Sequence, residues 1–295
     1  MSQAERNGSP TSRRKGWRVA WPFLIPFIFF YGLFLIYPAI QVGILSLTNS
    51  DLAGRGQFVG LANYFELAKD QGFWASVWHT LYFILLTVVP NTAVGFFFAL
   101  LVVRLRRLRL AVLSAFFLPY VLPVSVVTTT ALWILDANFG IVNYLFNSQI
   151  GWFGDPTFAM PGVALVTIWW TVGFNMLLFI AGLQNIPVEL YEASALDGAH
   201  GLQRFLFITC PLIWPVTSLV LILQLILQFK IFDQVYLLTR GGPYNSTIVV
   251  LFYMYGQAFQ LNRGGYGATI AVVLVVIIII VSAVQFRLLR GRQSK

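Results

Sequence analysis

The ionisable and nucleophilic side chains of this sequence form no evident catalytic constellation. His79 and His200 are the only histidines and Cys210 is the only cysteine, so they supply neither a metal-ligand cluster nor an intrachain disulfide. Asp136 and His79 stand isolated from any partner group. None of the lysines Lys15, Lys69, Lys230 and Lys295 follows a glycine, so the phosphate-cradling loop G-x-x-x-x-G-K-[ST] has no counterpart here. Two other constellations carry chemistry in their spacing. Gln224 and Gln228 are four residues apart, one helical turn, on one face. Trp170, Thr171, Phe174 and Asn175 crowd neighbouring turns of an earlier apolar run. Amides, a hydroxyl and aromatic faces suit recognition of a polar solute; equally, amides tie neighbouring membrane helices together and aromatics pack.

The second constellation is Glu192-Ala193-Ser194-Ala195-Leu196-Asp197-Gly198-Ala199, closed downstream by Phe205, Pro211 and Pro215. Pro187 suits the first turn of a short helix, where a missing N–H is harmless. Glu189 and Glu192 favour the positive helix end. Asp197-Gly198 reads as its stop, with Gly198 able to take the left-handed conformation of a helix cap. Small residues at 193, 194, 195, 198 and 199 let another surface approach the backbone. The pattern is that of a helix built to be gripped.

The elements that must position these groups are membrane helices. Of the 295 residues 58% are hydrophobic and 10% charged, with a mean hydropathy of +0.78; soluble domains carry about 25% charged residues. The expected class is all-α, with six spans over roughly 19–47, 76–103, 110–135, 160–183, 206–229 and 266–286. This gives a basic tail over 1–18, a single membrane domain over 19–286 with a polar loop at 184–205, and a second basic tail over 287–295. Apolar residues 248–259 are too short to span and read as a re-entrant or packed helix. Trp21, Trp74, Trp78 and Trp152 read as interface anchors, and Thr128, Thr129 and Thr130 as helix contacts or back-bonded hydroxyls.

Six spans place both termini on one side, and that side collects the basic residues. Five lie in the first tail, four in the turn 104–109, one at Arg204 and four in the last tail, against five on the other side. The positive-inside rule then puts both termini and the loop at 184–205 in the cytoplasm. The +9 net charge is explained by orientation and anionic-lipid contact, and no aromatic-interleaved basic groove calls for nucleic acid. No acidic residue falls within the interior of the expected spans, where an ion-coupled carrier would keep one. With neither a nucleotide loop nor an ion-coupling carboxylate, the chain needs a partner to supply energy.

The segment 192–199, with Phe205, Pro211 and Pro215, resembles the signature loop of permease subunits of binding-protein-dependent ABC importers, where it docks into a groove on a separate ATPase. The commonest form begins Glu-Ala-Ala; here Ser194 replaces the second alanine. Gly60-Leu61-Ala62-Asn63-Tyr64 and the stretch from Phe232 to Pro243, with Gly241-Gly242-Pro243 and then Ser246-Thr247, are similar to segments of the carbohydrate branch, the maltose and glycerol-3-phosphate type permeases. The resemblance covers most of residues 20–290. It implies a type I importer fold and a transport subunit rather than an enzyme. It also implies ATPase coupling through Glu189, Glu192, Ala193, Ser194, Asp197, Gly198 and Ala199, and no cofactor in this chain, ATP and Mg being bound by the partner. The implied partners are a second homologous permease, two ATPase subunits, an extracytoplasmic solute-binding protein and lipid. By position relative to the maltose importer, the implied solute path runs along Trp170, Thr171, Phe174, Gln224 and Gln228, and Asn175 joins it as their neighbour on the fourth span. The expected solute is an oligosaccharide, a sugar alcohol or a glycerol-3-phosphate-like compound. The alternatives are a non-sugar solute for the same machine, or a nucleotide-independent channel or multispan membrane enzyme.

Overall fold

The computed structural model describes residues 21, 22, 24–105 and 107–290. The expected tail at 1–18, Arg106 and the end of the second tail from 291 onward lie outside them. In chain order the helices are α1 (Leu24–Leu45), α2 (Ala62–Lys69), α3 (Gln71–Arg104), α4 (Arg109–Val121), α5 (Val124–Ile134) and α6 (Ile141–Leu145). There follow α7 (Pro156–Gln184), α8 (Val188–Leu196), α9 (Gly201–Phe229), α10 (Asp233–Leu238), α11 (Val250–Tyr255) and α12 (Gly264–Arg290). Among the described residues the only β-pairing is an isolated bridge between Thr48 and Phe58.

Helices α1, α3, α7, α9 and α12 are each long and apolar enough to cross a membrane. The third expected span, 110–135, is not one straight helix: α4 and α5 meet at 103°. Leu122 is extended (φ −71°, ψ 142°), as the residue before a proline prefers. Pro123 then opens α5 by accepting at its carbonyl from the N–H groups of Val126 and Val127. The chain has six crossings only if this bent pair makes one. Of the spans that start earlier than expected, two do so from an aspartate cap. Asp70 accepts from the N–H groups of Gly72 and Phe73 and so starts α3 at Gln71, and Asp155 accepts from Thr157 N–H ahead of Pro156. The segment 248–259 forms α11 and a wide turn, Gly256–Gln260, and α11 packs against α3 and α12.

Two further wide turns, Gly32–Ile36 and Phe205–Thr209, precede Pro38 and Pro211. A proline lacks the N–H for the carbonyl four residues back and its ring crowds that turn, so the helix widens locally instead of breaking.

Helix α7 sits at the centre, packed against α3, α4 and α9. Its contact with α4 is backbone to backbone: a Cβ built on Gly173 would lie 2.0 Å from the Phe116 carbonyl oxygen. Small residues permit such approach where helices associate by packing. Around this contact Ala99, Val102, Met176, Phe179, Ile180, Ile213 and Val220 form one core cluster. The hydroxyls of Thr128 and Thr130 bond back to the carbonyls of Val124 and Val126, as the sequence led us to expect. His79 Nδ1 pairs with the Ile248 carbonyl at 3.0 Å, which gives this isolated histidine a structural partner.

The end of the bundle that carries the starts of α3 and α12 is tied by Asp70. Its Oδ2 accepts from the Tyr253 and Tyr266 phenols while its Oδ1 caps α3. Beside it Arg263 pairs with Glu66 at 2.6 Å and lies over the Tyr266 ring. Burial pushes the Asp70 carboxyl up, but the two phenols and two N–H donors outweigh it and hold the group below the usual 3.8. Burial, and then the Asp70 hydrogen bond and charge, push the Tyr253 phenol up, keeping it a donor. A carboxylate lowered in the fold stabilises fully above its unfolded value, and that contribution is lost as pH falls through the folded value. Asp70→Asn is therefore expected to lower stability by about 1–3 kcal/mol at neutral pH. The gap from the parent is expected to close as pH drops below about 4, read by thermal unfolding in detergent. A gap independent of pH would remove the charge from this account.

Candidate functional site

The helix α8 stands clear of the bundle. None of its residues is buried, and Leu196 at its end is 90% exposed. Pro187 is its N-cap (φ −58°, ψ 131°) and Glu189 lies in its first turn. Asp197 is the C-cap and Gly198 follows at φ +77°. The Gly198 N–H donates to the Ala195 carbonyl at 3.2 Å and the Ala199 N–H to the Ser194 carbonyl at 2.9 Å. This pair of bonds is the Schellman stop, which a glycine in the left-handed region makes without steric cost.

One side-chain contact fixes α8 itself to α9, and two more hold the turn between them. The Tyr191 hydroxyl meets Thr209 Oγ1 at 2.9 Å, in the wide turn of α9. Arg204 Nε donates to the Ala199 carbonyl at 2.9 Å, and the Gln203 carboxamide accepts from His200 N–H at 2.8 Å. Glu189, Glu192, Ala193, Asp197 and Gly198 remain exposed, with Ser194 and Ala199 half-buried. Helix α8 thus presents a solvent-facing surface and is hydrogen-bonded through Tyr191 to the next span.

The amide constellation gathers inside the bundle. Gln224 Nε2 donates to Asn175 Oδ1 at 2.8 Å, and Gln228 Nε2 donates to Gln224 Oε1 at 2.9 Å. Asn91 of α3, to which sequence reasoning assigned no role, joins them. Its Nδ2 donates to Thr171 Oγ1 at 2.7 Å and to Gln224 Oε1 at 3.3 Å. Thr171 in turn donates to the Thr167 carbonyl at 2.7 Å. The result is a chain of amides and hydroxyls across α3, α7 and α9. Asn91, Asn175, Gln224 and Gln228 are at most 4% exposed. Trp170 and Phe174 are not brought into this chain. Trp170 packs against the core around Phe83 and Val166, with its Nε1 unpaired. Phe174 stacks on Tyr120 of α4 at 5.0 Å between ring centres. The signal for Asn91 was a lone amide directly after Pro90 in a long apolar run.

Among the described residues no group of histidine, cysteine, aspartate and glutamate could hold a metal ion.

Residues 67–294 match the family model described as the binding-protein-dependent transport system inner membrane component. The chain is 33% identical over 293 residues to the arabinooligosaccharides transport system permease protein AraP of Bacillus subtilis (strain 168), covering 94% of this chain and 93% of that one. It is 32% identical over 275 residues to the sulfoquinovosyl glycerol transport system permease protein SmoG of Agrobacterium fabrum (strain C58), covering 91% and 89%. Its fold matches a chain in the crystal structure of a bacterial alginate ABC transporter in complex with alginate pentasaccharide-bound periplasmic protein. That match has a TM-score of 0.84 at 20% identity and covers 96% of this chain and 97% of the other. With its apolar spans, its protruding capped helix and these matches, the chain belongs to the family of inner membrane components of binding-protein-dependent transport systems.

Proposed function

We propose that this chain is one of two permease subunits of an ATP-driven importer for an oligosaccharide or related sugar compound, in the cytoplasmic membrane of a bacterium or archaeon. The observation that carries the coupling mechanism is α8, exposed on all but one edge and stopped by Gly198. In this reading 19–286 is the membrane domain, 184–205 is the coupling loop, and the tails at 1–18 and 287–295 are cytoplasmic with it. Glu189, Glu192, Ala193, Ser194, Asp197, Gly198 and Ala199 seat in a partner ATPase, which binds the ATP and Mg. Closure of two such ATPases pushes α8, and through Tyr191–Thr209 the push reaches α9. The spans then shift and a central path faces each side in turn. A second permease of the same fold completes that path, and an external binding protein delivers the solute. The names of AraP and SmoG support a sugar.

Solute contact is assigned to Trp170, Thr171, Phe174, Asn175, Gln224 and Gln228, which offer aromatic faces, amides and a hydroxyl. Gln228→Ala is expected to raise the KM for uptake about five- to tenfold, the equivalent of losing one good hydrogen bond, while ATPase binding survives. Unchanged uptake across a panel of saccharides would return Gln228 to helix packing.

The importer reading is tested by purification from native membranes in mild detergent, identifying every co-purifying chain by mass spectrometry. An ATPase, a second permease and a binding protein are expected. Recovery of this chain alone would reopen the channel reading.

A further inference from the structure

The amide chain leaves two of its own groups idle. Asn91 Oδ1 has no donor and Asn175 Nδ2 has no acceptor, although the two residues are 0% and 1% exposed. Away from water an idle buried amide group is costly, and a static joint between helices has no need of one. The two idle groups are complementary, one acceptor and one donor. Both residues hold the same third side chain, Gln224, from opposite ends of its carboxamide. The helices that carry them are in close contact at this level: a Cβ built on Gly95, one turn beyond Asn91, would lie 2.8 Å from Asn175 Cβ. Asn91 also follows Pro90, where α3 lacks one backbone hydrogen bond.

We propose that Gln224 is the removable member of this set and Asn91 a positioning residue of the import step. While α9 is seated against α3 and α7, Asn91 and Asn175 hold Gln224. When α9 draws away, Asn91 Oδ1 accepts from Asn175 Nδ2 and neither amide is stranded. The exchange rests on the importer reading above and names the contact that must break in it.

The test uses the assembled transporter with Cys210→Ser, Asn91→Cys and Gln224→Cys, treated with a short bifunctional thiol reagent before and after trapping with ATP and vanadate. The cross-link yield is expected to fall at least about threefold on trapping, as one population replaces another. Equal yields in both states, or no cross-link in either, would overturn the proposal. Asn91→Val is expected to lower the maximal uptake rate per folded transporter about tenfold, with the KM for solute within about twofold. A normal maximal rate in this variant would also overturn it. An assembly that purifies without any ATPase overturns the importer reading itself, and this proposal with it, before a cross-link is scored.

Discussion

Gly198→Trp is expected to abolish ATP-dependent uptake while the protein still accumulates in the membrane. Gly198 holds φ +77°, and no atom lies within 4 Å of a Cβ built there. The first carbon of a side chain there therefore has open space beyond its chain neighbours, and the backbone strain is about 1–2 kcal/mol for the left-handed conformation. That strain falls on the Schellman stop of α8, outside the core of the bundle. The indole would project from the exposed surface where the ATPase is proposed to seat, so docking fails and folding does not. Gly198→Ala carries the strain without the bulk and is expected to keep a reduced uptake. Membrane level, ATPase co-purification and uptake are measured together. Normal uptake by the tryptophan variant would remove α8 from the coupling path.

Gly173→Leu is expected to act on the fold instead. The atoms nearest the built Cβ are the Phe116 carbonyl oxygen and carbon, at 2.0 and 2.6 Å. Both are backbone, so no rotamer change relieves the overlap and α4 must move as a whole. Such a shift would disturb the Tyr120–Phe174 stack and the Phe98–Phe116 pair, whose ring centres are 4.5 Å apart. Overpacking of well-filled cores costs about 1–3 kcal/mol and more when backbone is displaced. The expected result is a severalfold loss of folded protein, with Gly173→Ala intermediate, measured by quantitative fluorescence-detected size exclusion. Gly43→Ala is the control, because nothing lies within 4 Å of its built Cβ. Full accumulation of the leucine variant would mean that α4 does not rest on α7 in the membrane.

How far the sequence could be read depended on the range of the interaction concerned. Apolar runs and prolines located the spans, because length and hydropathy are local quantities. The short helix was legible to within a residue at each end, since Pro187, Asp197 and Gly198 act on their own backbone: Pro187, read in the first turn, is the N-cap, and Asp197-Gly198 is the stop. The bend between α4 and α5 was marked by Pro119 and Pro123, but a proline inside a helix kinks it in one case and splits it in another. Pro90 and Pro161 remain within continuous helices, and their neighbours decide the outcome. The start of α3 at Gln71 was missed because the expected span began at 76 and Asp70 was not recognised as a cap. Gln224, Gln228, Asn175 and Thr171 were singled out in pairs along single helices. Their linkage through Asn91, 80 residues from Thr171 and 133 from Gln224, is a property of how three helices pack, and no local pattern encodes it.

The most direct test of energy coupling through α8 is uptake into proteoliposomes containing this chain, its companion permease and the ATPase. A radiolabelled oligosaccharide is presented with the binding protein outside, and ATP is enclosed within. Accumulation that requires ATP, requires the binding protein and disappears in the Gly198→Trp chain is the expected result. Uptake that proceeds without nucleotide, or that is indifferent to Gly198→Trp, would contradict it.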